Sequence, residues 1–260
     1  MILIILSRNY MNYITNKRKI EYAFNRAAKN YDFNSTLQKV SGNILLSKTK
    51  LQFNISILDA GCGTGWFSKK WKQYGNKVTA LDLSRNMILY AKQSKVADYY
   101  LQADIEALPI NNNIFDLCWS NLSLQWCHNL SKGISELCRV TKPGGIILFS
   151  TIADGSLSEL KQAWSAIDSH CHVNDFLTIQ EISSVCQKKN TIIDSVWITL
   201  SFSKVLEAMM SIKKVGANYV NRTTNKIVTK KKIEILKQSW PRNKNGYSLT
   251  YKLVFGVIYL

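Results

Sequence analysis

Three carboxylates and three glycines carry the most specific chemistry in this sequence. Asp59 closes an apolar run in "ILDAGCGTGWFS" (57–68) and is followed by Gly61, Gly63 and Gly65 at every second position. Glycines placed where a strand turns into a helix leave space that a side chain would take from a ligand. Asp82 in "VTALDLS" is placed to accept both hydroxyls of a ribose. Asp104 in "LQADIEALP" is placed to accept a hydrogen bond from an adenine amine. A dinucleotide turn requires Gly-x-Gly-x-x-Gly, and counted from Gly61 its last position is Trp66, whose indole would obstruct the close helix–strand approach. A pyrophosphate is therefore disfavoured. Each aspartate alone reads equally well as a solvated strand end, and the glycine triplet by itself is weak evidence for a ligand. Three acids at successive strand ends beside that turn are harder to ascribe to coincidence.

The elements that must position these groups alternate. Short apolar runs at 55–59, 77–82, 99–104, 115–120 and 145–151 read as strands, and helices are expected over 66–74, 86–95 and 130–140, the last ahead of a "KPGG" turn. Strict alternation implies crossovers, hence an α/β fold with a doubly wound, mostly parallel sheet, seven-stranded here and Rossmann-like. Ahead of it, Phe24, Ala27, Ala28, Tyr31, Leu37, Val40, Ile44 and Leu45 recur at helical spacing and predict a helical arm. After 151 the rhythm changes. Helices over 157–169, 178–186, 203–216 and 226–239 are expected to cover the ligand crevice, and strands at 196–202 and 249–259 to close the sheet edge as an antiparallel pair. The organisation is thus an N-terminal extension (1–15, expected to be disordered) and a single domain (16–260). That domain divides into the arm (16–50), the cofactor-binding core (55–151), lid helices with the sheet edge (152–248) and the last strand (249–259).

Composition bounds the function. The chain has 260 residues, 46% hydrophobic, enough for one core of α/β size. "MILIIL" at the start is too short for a signal-peptide core or a bilayer span, and Met11 is an alternative start. Cysteines 62, 118, 127, 138, 171 and 186 form no Cys-x-x-Cys pair, which fits reduced thiols in a cytoplasm. The formal charge of +17 raises nucleic acid, membrane or an acidic protein as partner. However, 27 of the 34 basic residues are lysine, as a biased genome would produce, and they are scattered, not clustered beside aromatics. A nucleic-acid-binding protein on this fold is accordingly the weaker alternative, and neither nucleic acid nor membrane is expected. "HCH" at 170–172 lacks supporting ligands, so no metal is expected and the histidines are read as surface or lid-packing groups.

The Asp-x-Gly-x-Gly-x-Gly turn followed by Asp82 and Asp104 resembles the class I S-adenosylmethionine-dependent methyltransferase family over about 55–151. The resemblance implies S-adenosyl-L-methionine as cofactor. It implies that Asp59 organises the turn and the ligand's amino group, that Gly61, Gly63 and Gly65 admit the sulfonium ligand, that Asp82 holds the ribose, and that Asp104 with Ile105 frames the adenine. Cys62, Leu83, Met87 and Asn121 complete the implied cofactor set. "AFNRAAKNYD" (23–32), "WSNLSLQWC" (119–127), "GSLSELKQAW" (155–164), "SIKKVGAN" (211–218), "SWP" (239–241) and "YSLTYKLVFGVI" (247–258) extend the likeness from about Asn16 to the C-terminus. In these the chain is similar to the malonyl-acyl-carrier-protein O-methyltransferases of biotin synthesis, which convert the free carboxylate of a malonyl thioester into a neutral ester that elongation enzymes accept.

The acceptor is read after the fourth strand. "SNLS" (120–123) has no Asn/Asp-Pro-Pro-aromatic turn to hold a planar amine, and no Pro-Cys supplies a cytosine C5 nucleophile. A carboxylate, with pKa near ~4, needs no general base at neutral pH, so no catalytic acid, base or nucleophile is assigned. Arg26 and Tyr31 on the arm, with Gln125 and Trp126 after the fourth strand, are the expected acceptor-binding residues. Trp164 is the weaker candidate. Lys69, Lys70, Lys72, Lys213 and Lys214 would form a rim that steers an acidic carrier protein. Malonyl-acyl carrier protein or malonyl-CoA is the expected partner, and a monomer the expected form. Another small acid or a quinone precursor is the alternative acceptor.

Overall fold

The computed structural model describes residues 16–187, 190–217 and 229–260. The expected disordered extension (1–15), the start of the helix placed over 226–239 and Asn218 of "SIKKVGAN" lie outside them. Helix α1 covers 16–27. A short 3-10 turn, Ala28–Asn30, leads to α2 (Tyr31–Asn34) and α3 (Thr36–Leu46), so the arm is a broken series of helices. The core follows as β1 (Ser56–Ala60), α4 (Trp66–Gln73), β2 (Lys77–Asp82), α5 (Arg85–Gln93), β3 (Tyr99–Gln102), β4 (Phe115–Asn121) and α6 (Leu130–Val140). The last third contains β5 (Thr141–Ile152), α7 (Ser158–Ser165), α8 (Ile179–Cys186), β6 (Asn190–Phe202), α9 (Val205–Lys214), α10 (Lys230–Ser239), β7 (Arg242–Asn243) and β8 (Gly246–Tyr259).

The strand order is β3-β2-β1-β4-β5-β8-β6, with the first five parallel and β8 antiparallel to both β5 and β6. Seven strands form this path. An eighth, the two-residue β7, pairs with β8 beside it and was not anticipated. The "KPGG" segment lies inside β5, not ahead of it. The register shifts there, from Phe115 opposite Thr141 to Leu117 opposite Ile146, and Gly144 takes φ +77° to accommodate the irregularity.

Successive residues of each central strand enter opposite faces of the sheet. Ile57, Leu117, Leu148 and Phe255 join one buried cluster with Phe67, Trp71 and Trp119; Leu58, Cys118, Ile147 and Val254 join the other with Leu137 and Ile182. Both faces are covered by helices, which is why these strands read as continuous apolar runs. The strand order reverses between β1 and β4, and the crevice beyond their carboxyl ends is where such a fold binds ligands.

Candidate functional site: a nucleoside cradle beside an apolar chamber

The glycine turn is fixed by β2. Gly61 and Cys62 both donate backbone N–H to the Leu81 carbonyl (2.7 and 2.9 Å), and Gly63 N–H donates to Asp82 Oδ2 (2.9 Å). Asp82 Oδ1 accepts from Ser84 N–H (2.8 Å), and Ser84 in turn caps α5 by accepting from Met87 N–H. One carboxylate therefore ties the turn to the start of the next helix and keeps lone pairs for a ligand. The glycines serve the protein as much as a ligand. All three take positive φ. A Cβ on Gly61 would lie 2.0 Å from Ser123 Oγ, and one on Gly65 2.3 Å from Val96 Cγ2. Gly65 thus makes the close helix approach that a dinucleotide turn assigns one position later. Trp66 turns outward instead, 44% exposed, with Lys39 Nζ 4.0 Å above its ring.

The arm folds over this turn. Asn25 Oδ1 accepts from Ser84 Oγ and Asn86 N–H, and Thr64 donates its hydroxyl to Asp32. Tyr31, half-buried over Gly63, has its phenol pushed up by desolvation and by the neighbouring Asp82. Two small cavities flank it. One, about 70 Å³, is lined by Gly61, Gly63, Asp82, Leu83, Met87, Asp104 and Ile105, together with Lys17. The other, about 30 Å³, carries Asp59, Cys62, Asn121 and Trp66, and shares Tyr31 and Gly61 with the first.

Burial sets the charges. Desolvation pushes Asp59, 2% exposed and bonded by Ser68 Oγ at 2.5 Å, up to about 7, and Asp82 up to about 6. Asp104 is placed differently from the expected bare adenine acceptor. Its Oδ1 accepts from Glu106 N–H (3.0 Å) and from Lys17 Nζ (2.9 Å), while Lys17 also meets Glu106 Oε2 at 2.6 Å. Burial opposes the Lys17 charge, yet Cys127, Glu106 and Asp104 outweigh it and raise its pKa. Asn121 is held by the protein at both ends of its amide: Nδ2 donates to Gln38 carbonyl and Oδ1 accepts from Ser150 Oγ.

A chamber of about 460 Å³ opens on the far side of Phe24, Tyr31, Leu122 and Trp126, the four residues that line both it and the larger cradle cavity. Trp126 meets Phe24 edge-on at 5.4 Å. Leu160 and Trp164 of α7, Met209 and Met210 of α9, Ile233 of α10 and Tyr251 of β8 enclose it, so the late helices do cover the crevice. Gln125 lines the chamber, its Nε2 donating to Leu122 carbonyl at 2.7 Å. Arg26 does not line it. The guanidinium is exposed on the arm, 5.8 Å over the Tyr22 ring. Of the proposed lysine rim only Lys213 lines the chamber; Lys70 and Lys72 sit on α4, bonded to Asn43 and Asp98 respectively.

The methyltransferase domain family matches residues 58–149. A malonyl-[acyl-carrier protein] O-methyltransferase of Buchnera aphidicola subsp. Baizongia pistaciae is 62% identical over 244 residues, covering 94% of this chain and 99% of that protein. The chain belongs to the malonyl-[acyl-carrier protein] O-methyltransferase family. A second member, from Pectobacterium atrosepticum, is 43% identical across 98% of this chain and 99% of its own length. Solved structures share the fold: the YcgJ protein of Bacillus subtilis superposes with a TM-score of 0.60 at 16% identity, covering 85% of this chain and 98% of that one. An S-adenosylmethionine-dependent methyltransferase of Thermotoga maritima gives 0.54 at 15%, covering 92% and 99% respectively.

The two sides of the glycine turn fit the cofactor of this methyltransferase family. Asp82, Leu83, Met87 and Ile105 offer an acceptor and apolar walls to a nucleoside, and Asp59 lies on the other side, where an amino acid moiety would reach. Because burial raises Asp82 to about 6, protonation removes its acceptor charge below that pH. Affinity for S-adenosylmethionine is therefore expected to fall as pH drops from about 7.5 to about 5.5, by up to about fourfold through Asp82, whose ionised fraction falls to roughly a quarter, as read by calorimetry; a flat profile would contradict this role for Asp82.

Proposed function

We propose that this chain transfers the methyl group of S-adenosylmethionine to the free carboxylate of a malonyl thioester borne by acyl carrier protein, giving the malonyl methyl ester used in biotin synthesis. The observation that carries this reading is the contiguity of the nucleoside cradle with a large apolar chamber across one wall of Phe24, Tyr31, Leu122 and Trp126. The cofactor, when bound, supplies an electrophilic methyl group on a sulfonium. The protein's task is to exclude water and align a carboxylate oxygen with that carbon, for which proximity can supply much of the rate. A carboxylate is ionised without a base, in keeping with a site in which Tyr31, on the wall between the two cavities, is held protonated by its surroundings and Cys127, in the cradle, is pushed up to about 12 by burial.

The chamber is larger than a malonyl group needs, leaving room for the thioester and the start of its pantetheine arm, which favours a carrier-bound acceptor over free malonate. Asp59, Gly61, Cys62, Gly63, Gly65, Asp82, Leu83, Met87, Asp104, Ile105 and Asn121 are assigned to cofactor binding, with Gly65 and Asn121 acting through the shape of the turn and of the β4 end. Tyr31, Gln125 and Trp126 are assigned to the acceptor. Arg26, exposed over Tyr22 and absent from the chamber wall, is not assigned to the acceptor. The proposal takes the protein to act in the cytoplasm and as a monomer. Among the described residues no helix is long and apolar enough to cross a membrane.

Incubation with S-adenosylmethionine and malonyl-carrier protein is expected to add one methyl group to the acyl moiety, seen by mass spectrometry. Transfer to a different small acid and none to malonyl would overturn the acceptor and leave the cofactor standing.

A further inference from the structure

An acceptor tethered to a carrier protein enters the chamber where the chamber opens, so the body of the carrier must rest on the residues around that opening. Three of the described lining residues are exposed: Leu206 (44%), Met210 (38%) and Lys213. All three belong to α9, at steps of four and three, and therefore share one stripe of that helix. The other described lining residues are buried or half-buried, so the chamber meets solvent along this stripe.

The surface around the opening combines apolar and cationic groups. Helix α2 packs against α9, and its Tyr31 and Asn34 line the chamber. Between them in sequence stands Phe33, 89% exposed, more than any other large apolar side chain among the described residues. Together with Leu206 and Met210 it leaves apolar surface in water that a protein contact would cover. The basic residues, scattered over the chain at large, concentrate in the same region: from Lys213 to Lys232 the sequence has seven Lys or Arg and no Asp or Glu. Lys213 and Lys214 close α9, while Lys230, Lys231 and Lys232 open α10, which packs against α9. Cations at the start of a helix oppose its dipole, a cost that an acidic neighbour would offset. The one acid of α9, Glu207, is engaged at the start of its own helix, accepting from Ser203 Oγ (2.7 Å) and Lys204 N–H (3.2 Å).

We propose that the acyl carrier protein docks over the mouth of the chamber, on the face formed by α9 and α2, with Leu206, Met210 and Phe33 taking its apolar contacts and Lys213 and Lys214 its carboxylates. The proposal rests on the carrier-bound acceptor reading above and places the carrier where its arm enters the chamber directly. Leu206 and Met210 are aliphatic, which suits the surface of a protein helix and not the stacked bases of a nucleic acid. The lysines add attraction at a distance and orient the encounter, a contribution that salt weakens. None of the α4 lysines lines the chamber, so the expected basic rim reduces to its α9 part.

The test compares two acceptors, malonyl-carrier protein and malonyl-pantetheine, which brings the same acyl group and arm without the protein. The variants are Phe33→Ser and the pair Lys213→Gln with Lys214→Glu, the glutamine removing the wall charge without placing an acid beside the chamber. Lys50→Gln with Lys92→Glu makes the same change of charge on exposed residues away from the chamber. For the Lys213/Lys214 pair, kcat/KM for malonyl-carrier protein is expected to fall by roughly tenfold at low salt and to recover most of that loss at about 0.5 M salt. Phe33→Ser should lower it severalfold at either salt concentration. For malonyl-pantetheine, kcat/KM should remain within about twofold of wild type in every variant, and the distant charge pair should change neither acceptor by more than that. Unchanged use of malonyl-carrier protein, or an equal loss with malonyl-pantetheine, overturns the proposal. A mixed-sequence RNA that binds wild type and is lost in the Lys213/Lys214 variant, with methylation of the carrier unaffected, would assign the face to nucleic acid and also overturn it. A wild type active on neither thioester would overturn the functional reading itself.

Discussion

Replacing Asp82 by alanine is expected to weaken S-adenosylmethionine binding by roughly 100-fold, because two ribose hydroxyls lose a charged acceptor and each such bond contributes about 1.5–3 kcal/mol. The effect has a second origin in the protein itself. Asp82 also receives Gly63 N–H and Ser84 N–H, so the substitution releases the glycine turn from the start of α5. Asp82→Asn separates the two contributions: it retains one acceptor oxygen and is expected to lie between wild type and alanine. Calorimetric titration reads the result. Equal affinity in all three proteins would remove Asp82 from the cofactor site.

Glu106→Ala should produce the largest loss of stability, about 3–5 kcal/mol, the range for removing one partner of a buried ion pair. The side chain is 1% exposed and spends every contact on the protein. Its Oε1 accepts from Asn129 N–H (2.8 Å), and its Oε2 accepts from His128 N–H (2.8 Å) and Lys17 Nζ (2.6 Å). Alanine would strand two backbone donors and remove one of the two carboxylates that meet Lys17, loosening the arm from the cradle. The denaturation midpoint reports this directly. A midpoint within the range of surface substitutions would show that Lys17 and the two amides find other partners.

Much of the fold was legible because local pattern and tertiary environment agree. The strand β2 and helix α6 occupy the segments that alternation and helical period mark out, 77–82 and 130–140, and each is buried on the face its apolar residues define. The cradle was legible for the same reason: Gly61, Gly63, Asp82, Leu83, Met87, Asp104 and Ile105 stand at strand ends, and the sheet brings strand ends together. Groups whose roles depend on partners distant in sequence were not. Nothing near Lys17 or Glu106 marks them as a buried pair across the arm and the loop after β3. Arg26 has the charge an anion site wants, but its helix presents it to solvent over Tyr22. Asn121 looks like a ligand group by position and is instead used to join β4, β5 and α3 through Ser150 and Gln38.

The glycine turn illustrates the same division. The glycine spacing together with the acids at successive strand ends marks it as a candidate ligand turn, and Trp66 argues against a pyrophosphate. The physical reason for each glycine emerges only with its neighbours: Ser123 closes on Gly61, Tyr31 on Gly63 and Val96 on Gly65. The space that the missing side chains leave is occupied by the arm, the loop after β4 and the segment after α5, which together build the cradle around the ligand.

The central claim is that the methyl group goes to a carboxylate presented through the wall between cradle and chamber. It is tested most directly with S-adenosylmethionine labelled in its methyl group and malonyl-carrier protein as acceptor, followed by mild alkali. The account predicts label on the acyl group that alkali releases as methanol, as from an ester. Label that resists alkali, or that appears on the carrier protein and not on malonyl, would contradict it.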